Sequence, residues 1–344
     1  MTSSLKRRRD NSGCSNVPAR AATSPAEDDD GAYADGYFNS YDDLSVHDLM
    51  LKDKPRVEGY IRAFEANKER LKGKVVLDVG CGTGVLSMLC AKICQPSQVI
   101  AVEATESTAR IADALVHHNG LQGIVTVVNR PIEMVLLLDL SAPVDAIVSE
   151  WMGFYAFHES MLDSVLYARD KWLKPDGLLL PDSCRLWAAV VSEDGWKKDN
   201  VDYYHNYYSL DFTPFGNALA LEAMANPQVQ LLSKEEILSD PALVVGVEIH
   251  TVTSEQLNKI EARLSMPLKK DGNVAAVSFW FDVGFPNTDQ PLCTSPFSPP
   301  THWKQTSIFL GCFAPAAAGV QFECQVTIER ASPRSRQYSI TVET

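Results

Sequence analysis

The chain has 344 residues, of which 45% are hydrophobic, and its formal net charge is −13. This length suits two domains with apolar cores. The acidic balance argues against a general nucleic-acid binder, which would carry a basic face, and favours a basic partner. Eight cysteines without a C-x-x-C pair predict reduced thiols. With no visible signal peptide or membrane-length apolar run, we expect a nuclear or cytoplasmic protein that contacts no membrane.

The N-terminal segment, residues 1–32, is polar and poor in large apolar side chains, which predicts disorder. Its basic run, Lys6–Arg9, is either a nuclear address or a solvated tail. Ordered sequence is expected from Tyr33. Residues 33–73 contain a helical pattern that lies outside the strand–helix alternation that follows, so they are predicted to form a lid.

Residues 74–182 alternate apolar strands with helices, which predicts a parallel sheet covered on both faces. From residue 183 to 344, short β-like runs are separated by turn residues, which predicts a β-barrel or sandwich. An insertion at about 199–227 contains the aromatic run Tyr203–Tyr208. It is either an interface arm or a helix folded back on its own core.

A glycine-rich turn follows the first strand of the predicted sheet. Gly80, Gly82 and Gly84 form G-x-G-x-G, and Val85 stands where the dinucleotide motif has its third glycine. Asp78 enters the turn from the strand, beside the position that a phosphate would occupy. The pattern therefore argues against a nicotinamide-dependent dehydrogenase and favours a cationic ligand without phosphates.

Carboxylates after the next two strands extend this interpretation. Glu103 is placed to accept hydrogen bonds from both hydroxyls of a ribose. Glu133 is placed to accept one from an adenine amino group, with Ile132 against the ring. Arg56, on the lid helix, could pair with an amino-acid carboxylate. His47 is either a ligand contact or a structural histidine. Together these features predict S-adenosylmethionine as the cofactor, with no metal.

Two further carboxylates, Glu150 and Glu159, bracket an aromatic loop that contains Gly153 and His158. One interpretation is a capped helix start with one solvated glutamate. The other is a loop whose two carboxylates hold a single cation, because a half-buried glutamate is costly without a cationic partner.

From about Tyr37 to its C-terminus, the chain resembles a type I protein arginine N-methyltransferase. The resemblance implies a Rossmann-like S-adenosylmethionine-dependent methyltransferase domain, followed by a β-barrel domain with an inserted helical dimerisation arm. It also implies a homodimer and basic, Arg/Gly-rich or histone-like substrates. The motifs that carry it are Tyr37-Phe38-x-x-Tyr41, Val76–Gly84, Val102-Glu103, the loop from Glu150 to Glu159, and Thr301-His302-Trp303.

The resemblance also implies site residues. The catalytic glutamates fall on Glu150 and Glu159. Taken alone, His302 is either an ordinary loop histidine or a site residue; the resemblance implies that it pairs with Asp53 on the lid helix, and this catalytic pair could relay the proton. The cofactor contacts fall on the glycine turn and its surroundings, namely His47, Arg56, Asp78, Gly80, Glu103 and Glu133. To these the sequence pattern itself adds Gly82 in the turn and Ile132 beside the adenine. Met50 and Met161 match the methionines that line the arginine channel of the family. We also predict that Tyr41 binds substrate and orients Glu159, and that Trp303 contacts substrate.

A catalytically silent partner subunit of an active relative is the alternative function. Such a subunit would usually have a damaged loop or glycine turn. Here the three turn glycines, both loop glutamates and His302 are all present.

Overall fold

The structure is a computed structural model that describes residues 44–136, 143–332 and 335–344. The predicted disordered tail and Tyr41 lie outside the described residues. Along the described chain, a parallel sheet with helices is followed by antiparallel sheets. The predicted fold class is therefore confirmed.

A five-stranded parallel sheet organises the first part, in the order β3-β2-β1-β4-β5. Strand β1 reads Val-Val-Leu-Asp-Val and is buried almost throughout, as expected for a strand covered on both faces. Because β2 and β4 lie on opposite sides of β1, the strand order reverses there and leaves a crevice at the strand ends. The strands are β1 (Val75–Val79), β2 (Gln98–Glu103), β3 (Val125–Asn129), β4 (Val144–Val148) and β5 (Leu173–Leu180).

The predicted lid segment contains two helices that differ in burial. Asp53 caps the second helix by accepting a hydrogen bond from the backbone of Arg56, and Pro55 stands in its first turn. Tyr60 and Phe64 on this helix are fully buried, so it belongs to the core of the first part. The helices here are α1 (Leu44–Lys52), α2 (Lys54–Leu71), α3 (Val85–Cys94), α4 (Glu106–His118) and α5 (Leu162–Trp172).

Strand β5 is irregular near its start. Val144 pairs with Leu173, whereas Ala146 pairs with Leu178. The register therefore shifts within β5, and residues 174–177, Lys-Pro-Asp-Gly, bulge out of the ladder.

The second part consists of antiparallel sheets that form a barrel-like domain. One sheet has the order β7-β12-β10-β6-β8, with β11 paired to β10, and the other has the order β14-β13-β9. Phe279 and Phe281 of the first sheet and Ile328 of the second are buried in the same hydrophobic core. The strands are β6 (Ser183–Val191), β7 (Gln228–Gln230), β8 (Ala242–Glu248), β9 (Lys259–Pro267), β10 (Gly272–Gly284), β11 (Leu292–Cys293), β12 (Gln305–Ala316), β13 (Gln321–Arg330) and β14 (Tyr338–Glu343).

A helical insertion joins β6 to β7, where the sequence predicted an arm. It contains α6 (Asp194–Asn200), a 3₁₀ turn and α7 (Thr213–Ala225). Tyr203, Tyr208 and Phe215 are exposed on it. A short helix, α8 (Ser254–Leu257), precedes β9. Among the described residues, no helix has the length and apolar composition needed to cross a membrane.

Candidate active site

A cavity of about 340 Å³ lies at the carboxyl ends of β1, β2 and β4, which is the size of a small-molecule site. Its wall combines helix α1, the glycine turn, the loop of residues 150–161, which we name the carboxylate loop, and side chains from the barrel. The crevice of the parallel sheet therefore faces the second domain.

The glycine turn brings backbone close to the cavity. Gly80, Gly82 and Gly84 have φ values of 70°, 54° and 76°, in the left-handed region that favours glycine. A Cβ atom at Gly80 would lie 2.6 Å from the terminal methyl group of Met161. The turn thus needs glycine for both conformation and space.

Glu103 holds the turn and still faces the cavity. One carboxylate oxygen accepts a hydrogen bond from the Gly82 amide and the other accepts one from the Thr105 amide, each at 2.9 Å. Each oxygen of a carboxylate can accept more than one hydrogen bond. Glu103 is therefore preorganised for a pair of ligand hydroxyls, which fits the predicted ribose contact.

Asp78 corrects one prediction. Its side chain is buried beneath the turn and does not line the cavity, so it supports the site rather than contacting a ligand there. Ser87 Oγ donates to its carboxylate at 2.6 Å. Burial raises the pKa of Asp78 to about 7, with Glu103 acting in the same direction and the Ser87 hydrogen bond opposing.

The remaining predicted cofactor residues lie on the cavity wall. Ile132 is buried, and Glu133 accepts a hydrogen bond from Ser164 Oγ at 2.7 Å. His47 is also buried, with its Nε2 atom 3.5 Å from Thr108 Oγ1. His47 therefore both lines the cavity and packs within the domain, so the structure combines the two alternatives left open for it.

Arg56 and Glu150 form a buried ion pair at the cavity. Arg56 Nε donates to Glu150 Oε2 at 2.9 Å, and the side chains are only 7% and 8% exposed. The other Glu150 oxygen accepts from the Met152 amide at 3.3 Å, and an Arg56 terminal nitrogen donates to the Met50 carbonyl. Arg56 thus orients Glu150, a contact that the sequence prediction of an amino-acid carboxylate partner did not include.

The carboxylate loop has an unusual backbone. Tyr155, Ala156, Glu159 and Ser160 all have positive φ values, between 41° and 73°. Non-glycine residues in this region cost about 1–3 kcal/mol each, so the surrounding structure must stabilise the loop. Strain of this kind occurs where a site needs a defined geometry.

Glu159 lines the same cavity as Met50 and Met161. Its backbone carbonyl accepts a hydrogen bond from Arg336 Nη1 at 3.3 Å. The cavity therefore contains both loop glutamates and both predicted channel methionines. The predicted orienting residue, Tyr41, lies outside the described residues.

The barrel holds the carboxylate loop and its flank through long-range contacts. Trp303 Nε1 donates to the Met152 carbonyl at 2.7 Å, and the Tyr155 hydroxyl donates to a carbonyl of β14 at 3.1 Å. Arg330 donates to Asp163 at 2.5 Å. Trp303 was predicted to contact substrate, and the structure adds this anchoring role. Sequence reasoning missed Arg330 and Arg336, because no local motif indicates partners so far away in the chain.

His302 and Asp53 connect the barrel to α2. Both the backbone amide and Nδ1 of His302 lie within hydrogen-bond distance of Asp53 Oδ2, at 2.8 and 2.6 Å. Burial opposes ionisation of Asp53, but hydrogen bonds from His302 and Arg56 lower its pKa overall. An ionised Asp53 accepts a hydrogen bond from Nδ1–H, which orients the imidazole and leaves His302 Nε2 facing away from Asp53 as the second ring nitrogen.

The cavity fits an adenosine-bearing cation. It offers backbone at a glycine turn, a preorganised carboxylate at Glu103, a buried apolar side chain at Ile132 and a second carboxylate at Glu133. Among the described residues, no group of three or more His, Cys, Asp or Glu side chains is arranged to hold a metal ion.

Two family models match the chain. Residues 76–177 match a methyltransferase domain, and residues 182–344 match the arginine methyltransferase oligomerization subdomain. Human protein arginine N-methyltransferase 2 is 35% identical over 312 residues, which cover 89% of this chain and 71% of that protein. Dictyostelium discoideum protein arginine N-methyltransferase 1 is 36% identical over 279 residues, which cover 80% of this chain and 79% of that protein.

Solved structures agree with the sequence matches. The Trypanosoma brucei PRMT1 enzyme–prozyme heterotetrameric complex with AdoHcy has a TM-score of 0.76 at 31% identity, covering 88% of this chain and 93% of that chain. Arabidopsis thaliana protein arginine methyltransferase 10 has a TM-score of 0.76 at 29% identity, covering 89% of this chain and 94% of that chain. The chain therefore belongs to the protein arginine N-methyltransferase family, whose members use S-adenosylmethionine as the methyl donor.

Proposed function

We propose that this chain transfers methyl groups from S-adenosylmethionine to guanidino nitrogens of arginine in protein substrates, giving monomethylarginine and then asymmetric dimethylarginine. One observation carries the proposal. Glu150 and Glu159, at the two ends of a strained loop, line the same cavity as the glycine turn. A guanidinium held by the glutamates would therefore face a donor bound at the turn.

The chemistry requires two carboxylates because the guanidinium has a pKa above 12 and its nitrogens are poor nucleophiles at neutral pH. Carboxylates hold a guanidinium through paired hydrogen bonds. In this proposal, Glu159 holds the guanidinium and accepts its proton, and Glu150 anchors a second nitrogen. Positive charge is then drawn toward the held nitrogens, which leaves more electron density on the nitrogen that faces the methyl group.

The donor supplies an electrophilic methyl group on a positively charged sulfur. The N–CH₃ bond forms as the C–S bond breaks, and the arginine nitrogen then loses a proton. Orientation of the two reactants contributes several kcal/mol to such a displacement. Glu103 and Glu133 would hold the adenosine portion, and the free face of the Arg56 guanidinium would hold the amino-acid carboxylate.

The His302–Asp53 pair provides a route for the proton. His302 lines the cavity, and Asp53 beside it is nearly excluded from solvent, with its side chain 2% exposed. A neutral imidazole whose Nδ1–H is held by a carboxylate is suited to accept a proton at Nε2. We therefore assign to this pair the relay of the proton that Glu159 accepts.

The substrates that we propose are basic protein tails, either Arg/Gly-rich or histone-like, because the chain carries a net charge of −13. We further propose a homodimer formed through the α6–α7 insertion, on which Tyr203, Tyr208 and Phe215 are exposed. A nuclear or cytoplasmic location is also proposed, from the Lys6–Arg9 run and the free cysteines among the described residues. Light scattering of the purified chain and imaging of a tagged chain test these two points.

The deciding experiment is mass spectrometry of an Arg/Gly-rich peptide incubated with the protein and S-adenosylmethionine. We expect mass increases of one and then two methyl groups, and fragment ions that lose dimethylamine, which marks the asymmetric product. The Glu150→Gln variant should abolish the increase. Fragments that show one methyl group on each terminal nitrogen would contradict the asymmetric outcome.

The same experiment separates this function from that of a silent partner subunit. The T. brucei neighbour is a complex of an enzyme with a prozyme, so this alternative has a structural counterpart. A silent subunit would bind S-adenosylhomocysteine yet modify neither the peptide nor histone tails. The intact glutamate pair and glycine turn favour the active enzyme.

A further inference from the structure

Arg336 brings a positive charge from the barrel into the wall of the cavity. It lies in the connection between β13 and β14, and its Nη1 atom donates to the Glu159 carbonyl at 3.3 Å. Its side chain is half-buried and lines the cavity that also contains Glu150 and Met161. The charge is permanent, because an arginine side chain is not deprotonated in proteins.

The described residues on either end of the connection that carries Arg336 are paired with each other. At its base, Arg330 pairs with Tyr338 across the two strands, and the Ala331 amide donates to the Gln337 carbonyl at 3.0 Å. Arg330 also donates to Asp163, just beyond the carboxylate loop, at 2.5 Å. The position of Arg336 relative to Glu159 is therefore determined by the barrel, and its charge is built into the site.

We propose that Arg336 selects among substrates by the charge of the residue beside the target arginine, disfavouring lysine or arginine and favouring an acidic residue. The inference rests on the proposed function, because it assumes that a substrate guanidinium lies at Glu159. Successive residues of an extended peptide are about 3.3 Å apart, so a neighbouring side chain passes within about one Debye length of Arg336. An interaction of this range is worth about threefold to tenfold for each unit of charge.

The overall negative charge of the chain favours basic substrates, which is opposite to the effect proposed for Arg336. A net charge of −13 attracts basic tails from a distance, whereas Arg336 acts only on the residue next to the target. The combination favours tails whose arginines are separated by uncharged residues over tails in which basic residues are adjacent. Arg336 would thus distinguish Arg/Gly-rich segments from lysine-rich ones.

The test uses three peptides that differ only in the residue after a single arginine, which is Gly, Asp or Lys. The ratio of kcat/KM for the Asp peptide to that for the Lys peptide is measured in the full-length wild type and in Arg336→Gln. We expect the variant to lower this ratio about tenfold or more. Arg336→Lys, which keeps the charge, should stay within about threefold of the wild type. Lys259→Gln, which removes one exposed charge on β9, should match the wild type.

An Asp-to-Lys ratio that is unchanged in a folded Arg336→Gln would overturn the inference. So would an equal rate increase for all three peptides, because it would show that Arg336 merely obstructs the cavity. Arg336→Met provides a second uncharged variant if Arg336→Gln does not fold, and the same expectations apply to it. Failure of the wild type to modify even the Gly peptide would instead overturn the proposed function, and with it this inference.

Discussion

The glycine turn is held by neighbours along the chain, whereas the carboxylate loop is held by the barrel. In the turn, Gly82 bonds to Glu103, 21 positions away, and Asp78 bonds to Ser87, 9 positions away. We name the turn, Glu103, Ile132 and Glu133 the cofactor half of the cavity. These contacts lie within the first domain and include no residue of the barrel.

The carboxylate half comprises the carboxylate loop and its barrel contacts. Trp303 reaches Met152 across 151 positions, and Tyr155 reaches Tyr338 across 183. Since the loop also contains several strained residues, it needs those contacts to keep its shape. The contacts that support the cofactor half therefore lie within the first domain, whereas those that support the carboxylate half come from the barrel, so a change in the barrel can impair methyl transfer without impairing donor binding.

The largest effect is expected for Glu159→Gln, which should impair methyl transfer without impairing donor binding. Glu159→Gln keeps the size of the side chain but loses the charge that holds the guanidinium and accepts its proton. We expect the single-turnover transfer rate to fall by about 100-fold or more. Affinity for S-adenosylhomocysteine, measured by calorimetry, should stay within about threefold. Glu329→Gln, an exposed position on β13, is the matched control. More than a tenth of wild-type activity in Glu159→Gln would contradict this assignment.

Gly80→Ala should affect the cofactor half. The left-handed backbone costs a residue with a Cβ atom roughly 1–2 kcal/mol, and the added methyl group would approach Met161. We expect S-adenosylhomocysteine to bind about tenfold to a hundredfold more weakly. Gly120→Ala imposes similar backbone strain at a φ of 69°, but with open space around it, so it should lower stability without weakening binding. Equal binding losses in both variants would show that strain alone is responsible.

Asp53→Asn tests the contact that joins the barrel to α2. The pKa of Asp53 is lowered in the folded state, so its ionised form stabilises the protein above about pH 4, and this stabilisation is lost as pH falls further. We expect the variant to be about 2 kcal/mol less stable at pH 7, as typical for a hydrogen bond to a charged group. In chemical denaturation, the difference should shrink below pH 4. A difference that is independent of pH would contradict the role of the ionised carboxylate.

Glu193→Gln should change stability with pH in the opposite sense to Asp53→Asn. Glu193 lies in the second domain and does not line the cavity. Burial raises the pKa of Glu193 to about 7, with Glu236 adding to the effect and hydrogen bonds from Ser307 and Gln230 opposing it. The folded protein therefore retains a proton that the unfolded chain releases near pH 4.5, and stability is lost as pH rises from there to about 7.

Glutamine does not titrate, so the Glu193→Gln variant should gain about 1–2 kcal/mol relative to the wild type between pH 5 and pH 8. Denaturation at the two pH values measures this gain. The transfer rate of the folded variant at pH 7 should match that of the wild type. A gain of opposite sign would show that Glu193 is ionised and stabilising in the fold.

Sequence reasoning succeeded where the determinants are local. The glycine turn is a local motif, and Glu103 follows the next strand of the strand–helix alternation. Both line the cavity, as their spacing in the sequence predicted. The structure does not place Asp78 on the cavity wall, where a cofactor contact was predicted, because a sequence pattern does not show which way a side chain at the end of a strand points. Here it points down to Ser87 and not into the cavity.

The carboxylate half was only partly predictable. The two glutamates were identified from their spacing and from the family resemblance, but the positive φ values at Tyr155 and Ala156 were not. Those conformations are imposed by tertiary contacts, which override local preference. The same reason explains why Arg330 and Arg336 were missed, because their partners are known only once the barrel is placed against the first domain.

The most direct test of this division is Trp303→Phe, measured for both S-adenosylhomocysteine affinity and single-turnover transfer. Phenylalanine keeps an aromatic ring beside Phe281 but loses the hydrogen bond to the Met152 carbonyl. Trp187→Phe, which loses an indole bond to Asp282 within the barrel, is the matched control. We predict a roughly tenfold slower transfer in Trp303→Phe, with unchanged affinity and an unaffected control. Loss of affinity in parallel with rate, or an unchanged rate, would contradict the account that the barrel holds the catalytic loop.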